Sequence, residues 1–531
     1  MGSPPRGCGS SGPTARTSSA RSSMLTGQYP RTHGAIANGV PLPDDAPSVA
    51  RVLGDAGYRT ALIGKVHFEP IADPDGRWEQ NRIPMAGEHG PYRGFEYVEF
   101  AGHGPQGASH YGGWLREEHP ESTGGFLRIF SAAPGGDTGA PGVARNPVPR
   151  EHYHTDWVAD RTMAWLDTLD DDDDWFCWMS FPDPHHPWDV PASEAGRFDW
   201  RELDLPPGHP GSDERIREIL AGRPEHWLAW YDGSVPNIDA APGDFVPADL
   251  THDQIREINA LVHAKNELLD EAFGRVIAKI GERGWGDDTD VFVTTDHGEF
   301  QGELGLLYKG PYHVDALMRL PLVWRPAPSA GVAPAVVPEP VGQIDLAPTF
   351  CAVAGVPVPE WMEGSPLPAA PGSGRERAIV EWDSQLDTGH RLRTIVQDGW
   401  ICTVYEPTDR DYGMPKATGT PASGCCHRSG RSCTTAARAS CTAWPTTRTS
   451  GSTGGTIPRR PTCGPAWCRT CTSTCPRFVS PGSVRRPWGD PSGTGRTPAG
   501  VPGPSGLRAG GRRYFGGSRT PASTRNTSPL T

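Results

Sequence analysis

Ser48-Val49-Ala50-Arg51-Val52-Leu53-Gly54-Asp55-Ala56-Gly57-Tyr58-Arg59-Thr60-Ala61-Leu62-Ile63-Gly64-Lys65-Val66-His67 sets the architecture. Val49, Val52, Leu53 and Ala56 recur at i, i+3, i+4 and i+7, which is one face of a helix. Gly57 ends that helix. Thr60–Gly64 is then a short apolar run, the pattern of a strand covered on both faces. Lys65-Val66-His67 follows at once. Helix, turn and buried strand with charge just past its end form the unit of an open α/β sheet. Such sheets gather their chemistry beyond the C-terminal strand ends.

The unit recurs outward from there. Asp156–Leu169 reads as an amphipathic helix, and Trp175–Phe181 as an apolar strand running into Pro182-Asp183-Pro184-His185-His186-Pro187. Ile255–Arg283 reads as a long helix with Ile258, Leu261, Leu268, Leu269, Phe273, Val276 and Ile277 as its buried stripe. Asp290–Thr295 is another apolar strand, running into Asp296-His297-Gly298-Glu299, and Leu320–Trp324 is one more. The expectation is an α/β fold: a largely parallel central sheet with helices on both faces. Trp78–Arg150, rich in Gly, His and Pro, reads as long surface excursions. The acid run Asp170–Asp174 reads as a solvated loop. No internal repeat is visible.

Composition breaks sharply along the 531 residues. From Pro421 to Thr531 there are 16 Arg, no Lys, one acid (Asp490) and eight of the twelve Cys, whereas the whole chain carries a net −13. A basic tail suggests nucleic acid, and clustered Cys suggest zinc or disulfides. The strongly acidic remainder opposes a polyanion, and the Cys spacings fit no zinc pattern. Arg without Lys among Pro, Gly, Ser and Thr is what a GC-rich gene gives out of frame. Arg431–Thr435 can be written CGG AGC TGT ACG AC; starting at the last base of the Arg codon gives Glu-Leu-Tyr-Asp. The same offset turns Ala439–Arg448 and Gly455–Pro458 into further acidic phrases. The expectation is a frameshift between about Tyr412 and Arg431, with an out-of-frame, disordered tail. Residues 1–19 lack the apolar core of a signal peptide and read as a disordered or mis-started leader. With the start in doubt, a cytoplasmic location is only the default expectation. No apolar run reaches the roughly 18 residues of a membrane span. Outside the tail only Cys8, Cys177, Cys351 and Cys402 remain, which is no disulfide scaffold.

Four clusters carry the chemistry. Asp296 and His297 offer a carboxylate oxygen and an imidazole nitrogen, which suit a divalent cation; an N-cap is the competing role for Asp296. Lys65 and His67 point to one side of an extended segment and suit an oxyanion such as sulfate or phosphate. Taken alone, a solvated strand end explains them more simply. His185 and His186 stand between prolines that restrict the backbone, as a held pair of rings or as a rigid surface loop. Lys309 lies in a Gly-punctuated loop, where a single Lys is ordinarily a surface residue. Three strands would bring these groups to one rim, and the functional reading rests on the set.

The residues also resemble a family. Ala20-Arg21-Ser22-Ser23-Met24-Leu25-Thr26-Gly27 resembles the sulfatase signature Cys/Ser-x-Pro-Ser/Ala-Arg-x-x-x-x-Thr-Gly. Gly57–His67 resembles its Gly-Tyr-x-Thr-x-x-x-Gly-Lys-Trp-His block, and Pro184–Pro187 its Pro-His-x-Pro. Thr295–Glu299 through Lys309 looks like its Asp-His/Asn-Gly-Glu stretch with the downstream Lys, and Ile344–Thr349 like a later structural segment. The likeness spans about residues 20–412. It implies an alkaline-phosphatase-like fold and hydrolysis of small-molecule sulfate esters. The nucleophile would be a formylglycine made from Cys or Ser by a maturation enzyme. The metal would be a divalent cation, Ca²⁺ before Mn²⁺ or Mg²⁺. Carried over by position, Arg21 would stabilise the hydrated aldehyde. Lys65, His185 and Lys309 would contact the sulfate, Lys309 also serving the leaving oxygen. His67 would orient the nucleophile and help expel sulfate, and Asp296 and His297 would bind the metal.

Two departures follow from the same alignment. The nucleophile position is Thr17, and oxidising Thr gives a ketone where an aldehyde is required. The family's first-strand acids have no counterpart upstream of Ser22. The expected organisation is a leader over 1–19, then a catalytic domain over 20–360 without its first strand. The start of a smaller C-terminal α+β subdomain covers 361–412, and the tail 413–531. The expected function is a sulfuric ester hydrolase, inactive as written. A phosphonate or phosphodiester hydrolase of the same superfamily is the alternative, and Lys65 with His67 weighs against it because that branch tends to replace both. A non-catalytic oxyanion-binding protein is the third reading.

Overall fold

The computed structural model describes residues 8–10, 17–407 and 438–443, apart from residues 38, 71–72, 74, 106, 236–240 and 384–389. The helix Val49–Asp55 starts where Ser48 Oγ accepts the Ala50 N–H, a side-chain cap on a donor that the helix itself leaves unpaired. Gly57, at φ 100°, turns the chain into the strand Arg59–Gly64. That strand is central: Tyr97–Phe100 pairs parallel on one edge and Trp175–Ser180 on the other. Alternation then puts apolar groups on both faces. Leu62 packs with Val49, Leu53, Phe68 and Phe95. Ala61 and Ile63 pack with Trp157, Val158, Leu166, Val276 and Ile280, from helices His154–Leu166 and His252–Glu282. Burying Leu62 and Ile63 stabilises the fold by about 1.5–3 kcal/mol each.

Gly64 closes this strand against its neighbour. Its φ is 113°, and a Cβ there would lie 1.8 Å from the Ser180 carbonyl oxygen. The Lys65 N–H donates to that same oxygen at 2.6 Å. Only glycine meets both conditions. Gly64→Ala is expected to cost about 3 kcal/mol or more, read as a lowered urea midpoint. An unchanged midpoint would mean that the Ser180 backbone yields freely.

Four sequence expectations need correction. The strands Val291–Thr294 and Leu322–Arg325 form an antiparallel triple with Cys8–Ser10, separate from the parallel triple. An apolar run shows that a strand exists and not which way it runs. Val293 and Val323 are partly exposed, so these strands are not buried on both faces. The leader 1–19 is not all unstructured: Cys8–Ser10 is a strand and the helix Thr17–Thr26 begins inside it. Trp78–Arg150 is not only surface excursion. It holds the helices Glu79–Met85 and His110–Glu118 and the sheet strand Tyr97–Phe100.

The chain ends its described part in a further, four-stranded antiparallel sheet. Arg377–Asp383, His390–Gln397 and Trp400–Pro407 pair in sequence order, and Arg438–Ala443 adds to Trp400–Pro407. That last strand falls within the stretch expected to be a disordered tail. Arg-Ala-Ser-Cys-Thr-Ala is a window without Pro or Gly, and an open sheet edge recruits such a segment through its backbone. The rest of the frameshift expectation lies outside the described residues.

Candidate functional site

The rim beyond the parallel strands collects polar side chains. Lys65 directly follows Gly64, and the Pro182–Pro187 loop follows Ser180 on the neighbouring strand. Asp296 and His297 follow the strand Val291–Thr294. The helix Thr17–Thr26 contributes Arg21, one turn after Thr17; the Thr17 side chain is outside the described residues. Lys309 comes from the turn after Glu303–Gly305, next to Tyr308 at φ 61°.

These groups meet. Arg21 Nη2 lies 2.9 Å from Asp296 Oδ2, and His297 Nε2 lies 3.5 Å from the same oxygen. Lys65 Nζ is 3.2 Å from His103 Nε2, whose ring sits 4.6 Å from that of His185. Lys309 Nζ donates to Glu299 Oε2 at 3.2 Å. His186 packs edge-on to Tyr308 at 4.8 Å. Arg21 Nη1, His67 Nδ1, both His186 ring nitrogens, Asp296 Oδ2, His297 Nε2 and Glu299 Oε1 are buried with no hydrogen-bond partner. Arg21 and Asp296 are thus close enough for an ion pair but out of line for a hydrogen bond. Buried polar atoms are nearly always satisfied, so this concentration marks a place built for a guest.

The electrostatics agree. Burial, then the charge of Arg21, pulls the Lys65 ammonium down to about 7, with Asp296 pushing back. Burial drives His67 well below its ordinary value, helped by Lys65 and Arg21. His185 falls likewise through burial, His186, Lys65 and Lys309. Burial alone would raise the Asp296 carboxyl, but Arg21, His297 and Lys65 outweigh it and hold it well below the carboxylate range. Burial takes His297 to about 3 against the pull of Asp296. Cations and neutral rings crowd one space, and a bound anion would relieve their repulsion.

The Pro-His-His-Pro loop is held from behind. Lys265 and Asp183 have fully buried side chains 3.0 Å apart. Lys265 Nζ also donates to the carbonyls of His185 and Pro187, at 3.1 and 2.9 Å. Asp183 further accepts from Thr155 Oγ1 at 2.6 Å and Tyr153 Oη at 3.2 Å. All three ammonium protons have acceptors, so the clamp fixes the rings of His185 and His186 relative to the sheet. Lys265→Met leaves Asp183 buried without its cation and is expected to cost about 3–5 kcal/mol. Asp183→Asn in the same chain should restore part of it, as urea denaturation of both variants would show. Equal loss in single and double variants would mean the pair is not coupled.

Arg21, Lys65, His67, His185, Lys309, Asp296 and His297, singled out in the sequence, stand in this one neighbourhood. Sequence reasoning missed His103, Asp183 and Lys265. The signal for His103 was its place just past the end of Tyr97–Phe100. For Lys265 it was a charge inside the apolar stripe of His252–Glu282; of that stripe Leu269, Phe273 and Ile277 are only partly buried. For a divalent cation, Asp296 Oδ2, which faces Arg21 but makes no hydrogen bond, and the unpartnered His297 Nε2 are buried and adjacent, and fit as two ligands. They fall short of the roughly six to eight oxygen donors that Ca²⁺ takes. Among the described residues no helix is long and apolar enough to cross a membrane.

Residues 10–356 match the family model described as Sulfatase. The chain is 27% identical over 392 residues to the multifunctional alkaline phosphatase superfamily protein PehA of Trinickia caryophylli, covering 71% of each. It is 26% identical over 377 residues to the choline-sulfatase of Rhizobium meliloti, covering 68% of this chain and 63% of that protein. Among solved structures, the phosphonate monoester hydrolase SpPMH from Silicibacter pomeroyi aligns with a TM-score of 0.60 at 24% identity, over 75% of this chain and 80% of that one. The architecture is accordingly alkaline-phosphatase-like α/β.

Proposed function

Because this chain belongs to the sulfatase family, we propose that its buried cation cluster grips the sulfate of a small-molecule sulfuric ester. The observation that carries this is the gathering of Arg21, Lys65, His67, His185 and Lys309 around buried polar atoms that lack partners. Lys65, His185 and Lys309 bind the non-bridging oxygens and favour the extra charge of the transition state. Lys309 also faces the leaving oxygen, where its ammonium can give up a proton. Arg21 orients the nucleophile, and His67 moves a proton at it. A divalent cation, Ca²⁺ first and Mn²⁺ or Mg²⁺ after it, would be held by Asp296 and His297 and would polarise the sulfur–oxygen bonds. The nucleophile of the family pattern, a formylglycine installed by a maturation enzyme, would stand at Thr17. With Thr there, the chain as written is proposed to bind its substrate class without turning it over.

The same cage suits a phosphonate monoester or phosphodiester, and one relative is named for multiple activities. Lys65 and His67 together favour sulfate. Competition calorimetry on the full chain separates the two: a sulfate monoester is expected to displace bound vanadate at lower concentration than a phosphonate monoester. The reverse order would transfer the proposal to the phosphonate reading.

A further inference from the structure

Apart from the anion cluster, two short turns bring together His119, Glu121 and His152. Helix His110–Glu118 ends at His119, and the turn Pro120–Ser122 follows it. His152 closes the turn Arg150–His152, just ahead of helix His154–Leu166. The two imidazoles stack with centroids 3.7 Å apart. Glu121 Oε1 stands 3.6 Å from His119 Nδ1 and 4.0 Å from His152 Nδ1, too far to hydrogen-bond either ring. One ligand atom from each residue lies within 4.8 Å of the others. Two nitrogens and a carboxylate oxygen thus converge without satisfying one another.

We propose that His119, Glu121 and His152 form a second cation site, for Zn²⁺ or a metal of similar softness, which clips these two turns together. Donors about 2.0–2.2 Å from Zn²⁺ stand about 3.4 Å apart in a tetrahedron, so each ligand need move by only a fraction of an ångström to an ångström. Two imidazoles with one carboxylate favour Zn²⁺ over Ca²⁺ or Mg²⁺, which prefer all-oxygen shells. The frame is already set. Tyr111 Oη donates to the His152 carbonyl at 2.8 Å, and Trp114 packs edge-on to His119 at 4.7 Å. Ser122 Oγ hydrogen-bonds His152 Nδ1 at 3.0 Å; a metal on that nitrogen would displace this bond, and Ser122 Oγ or a water would complete the shell. The clip would brace the start of the helix that carries Thr155, and so the back of the Asp183 clamp.

The test uses the full chain, stripped with a chelator and with its thiols blocked by iodoacetamide, titrated with Zn²⁺ against a chromophoric indicator. One tight equivalent is expected, unchanged in Asp296→Asn and weakened 100-fold or more in His119→Ala and in His152→Ala. Glu121→Gln, at an exposed position where folding is not at risk, should weaken it about tenfold. Zn²⁺ should raise the melting temperature of the parent and not of His119→Ala. Equal zinc affinity in the parent and all three ligand variants, or no tight equivalent in the parent, would overturn the site.

Discussion

Given an aryl sulfate with Ca²⁺ or Mn²⁺, this chain is expected to release at most one equivalent of alcohol, with no sustained turnover above solution background. In the family pattern the nucleophile is a hydrated aldehyde, which has two hydroxyl groups on one carbon. One attacks sulfur, and the other, on losing its proton, collapses to the aldehyde and expels sulfate. Thr17 has one hydroxyl and a methyl group on that carbon, so attack ends in a sulfate ester with no internal means of release. The expected loss is the whole catalytic acceleration, at least about 10⁶-fold, whatever the binding groups contribute. Mass spectrometry of residues near Arg21 adds a second readout: stoichiometric sulfation at Thr17 fits the argument. Sustained turnover of the aryl sulfate by this chain would refute it.

The second large effect concerns sulfate binding, which the proposal keeps separate from turnover. Lys65→Met and Lys309→Met are each expected to weaken sulfate binding by roughly 10–100-fold, the worth of a hydrogen bond to a charged group. The two should not be equal. Removing Lys65 relieves repulsion on its cationic neighbours, which offsets part of the loss. Removing Lys309 leaves Glu299, its partner at 3.2 Å, as a carboxylate beside the anion, so Lys309→Met belongs at the upper end. Glu299→Gln added to Lys309→Met should recover a measurable part. Calorimetric titration with sulfate reads all three, and unchanged affinity in both single variants would place the anion elsewhere.

Much of the parallel core was legible because its physics is local. Leu62 and Ile63 announce a strand covered on both faces, and Val49 with Leu53 announces the helix that covers one of them. Strand direction was not legible, since pairing of Val291–Thr294 with Leu322–Arg325 is a tertiary choice. Tyr97–Phe100 escaped notice because Glu99 interrupts its apolar run. Glu99 is buried all the same, paired with Arg161 from helix His154–Leu166, and no sequence window spans that distance. Missing this strand also hid His103, the group that meets Lys65. Lys265 escaped for a related reason. A charge in a helix is read as facing water, and only the fold shows Asp183 and two carbonyls waiting for it. The clusters at Lys65, His185 and Asp296 were visible because each directly follows a strand, where an α/β sheet exposes its chemistry.

The central claim is that these separate strand ends hold one tetrahedral anion, and a crystal structure of the full chain soaked in sulfate or vanadate tests it most directly. Tetrahedral density within hydrogen-bond reach of Lys65, His185 and Lys309 is the predicted result. Those three side chains pointing to different places, or the anion seated away from all of them, would contradict it.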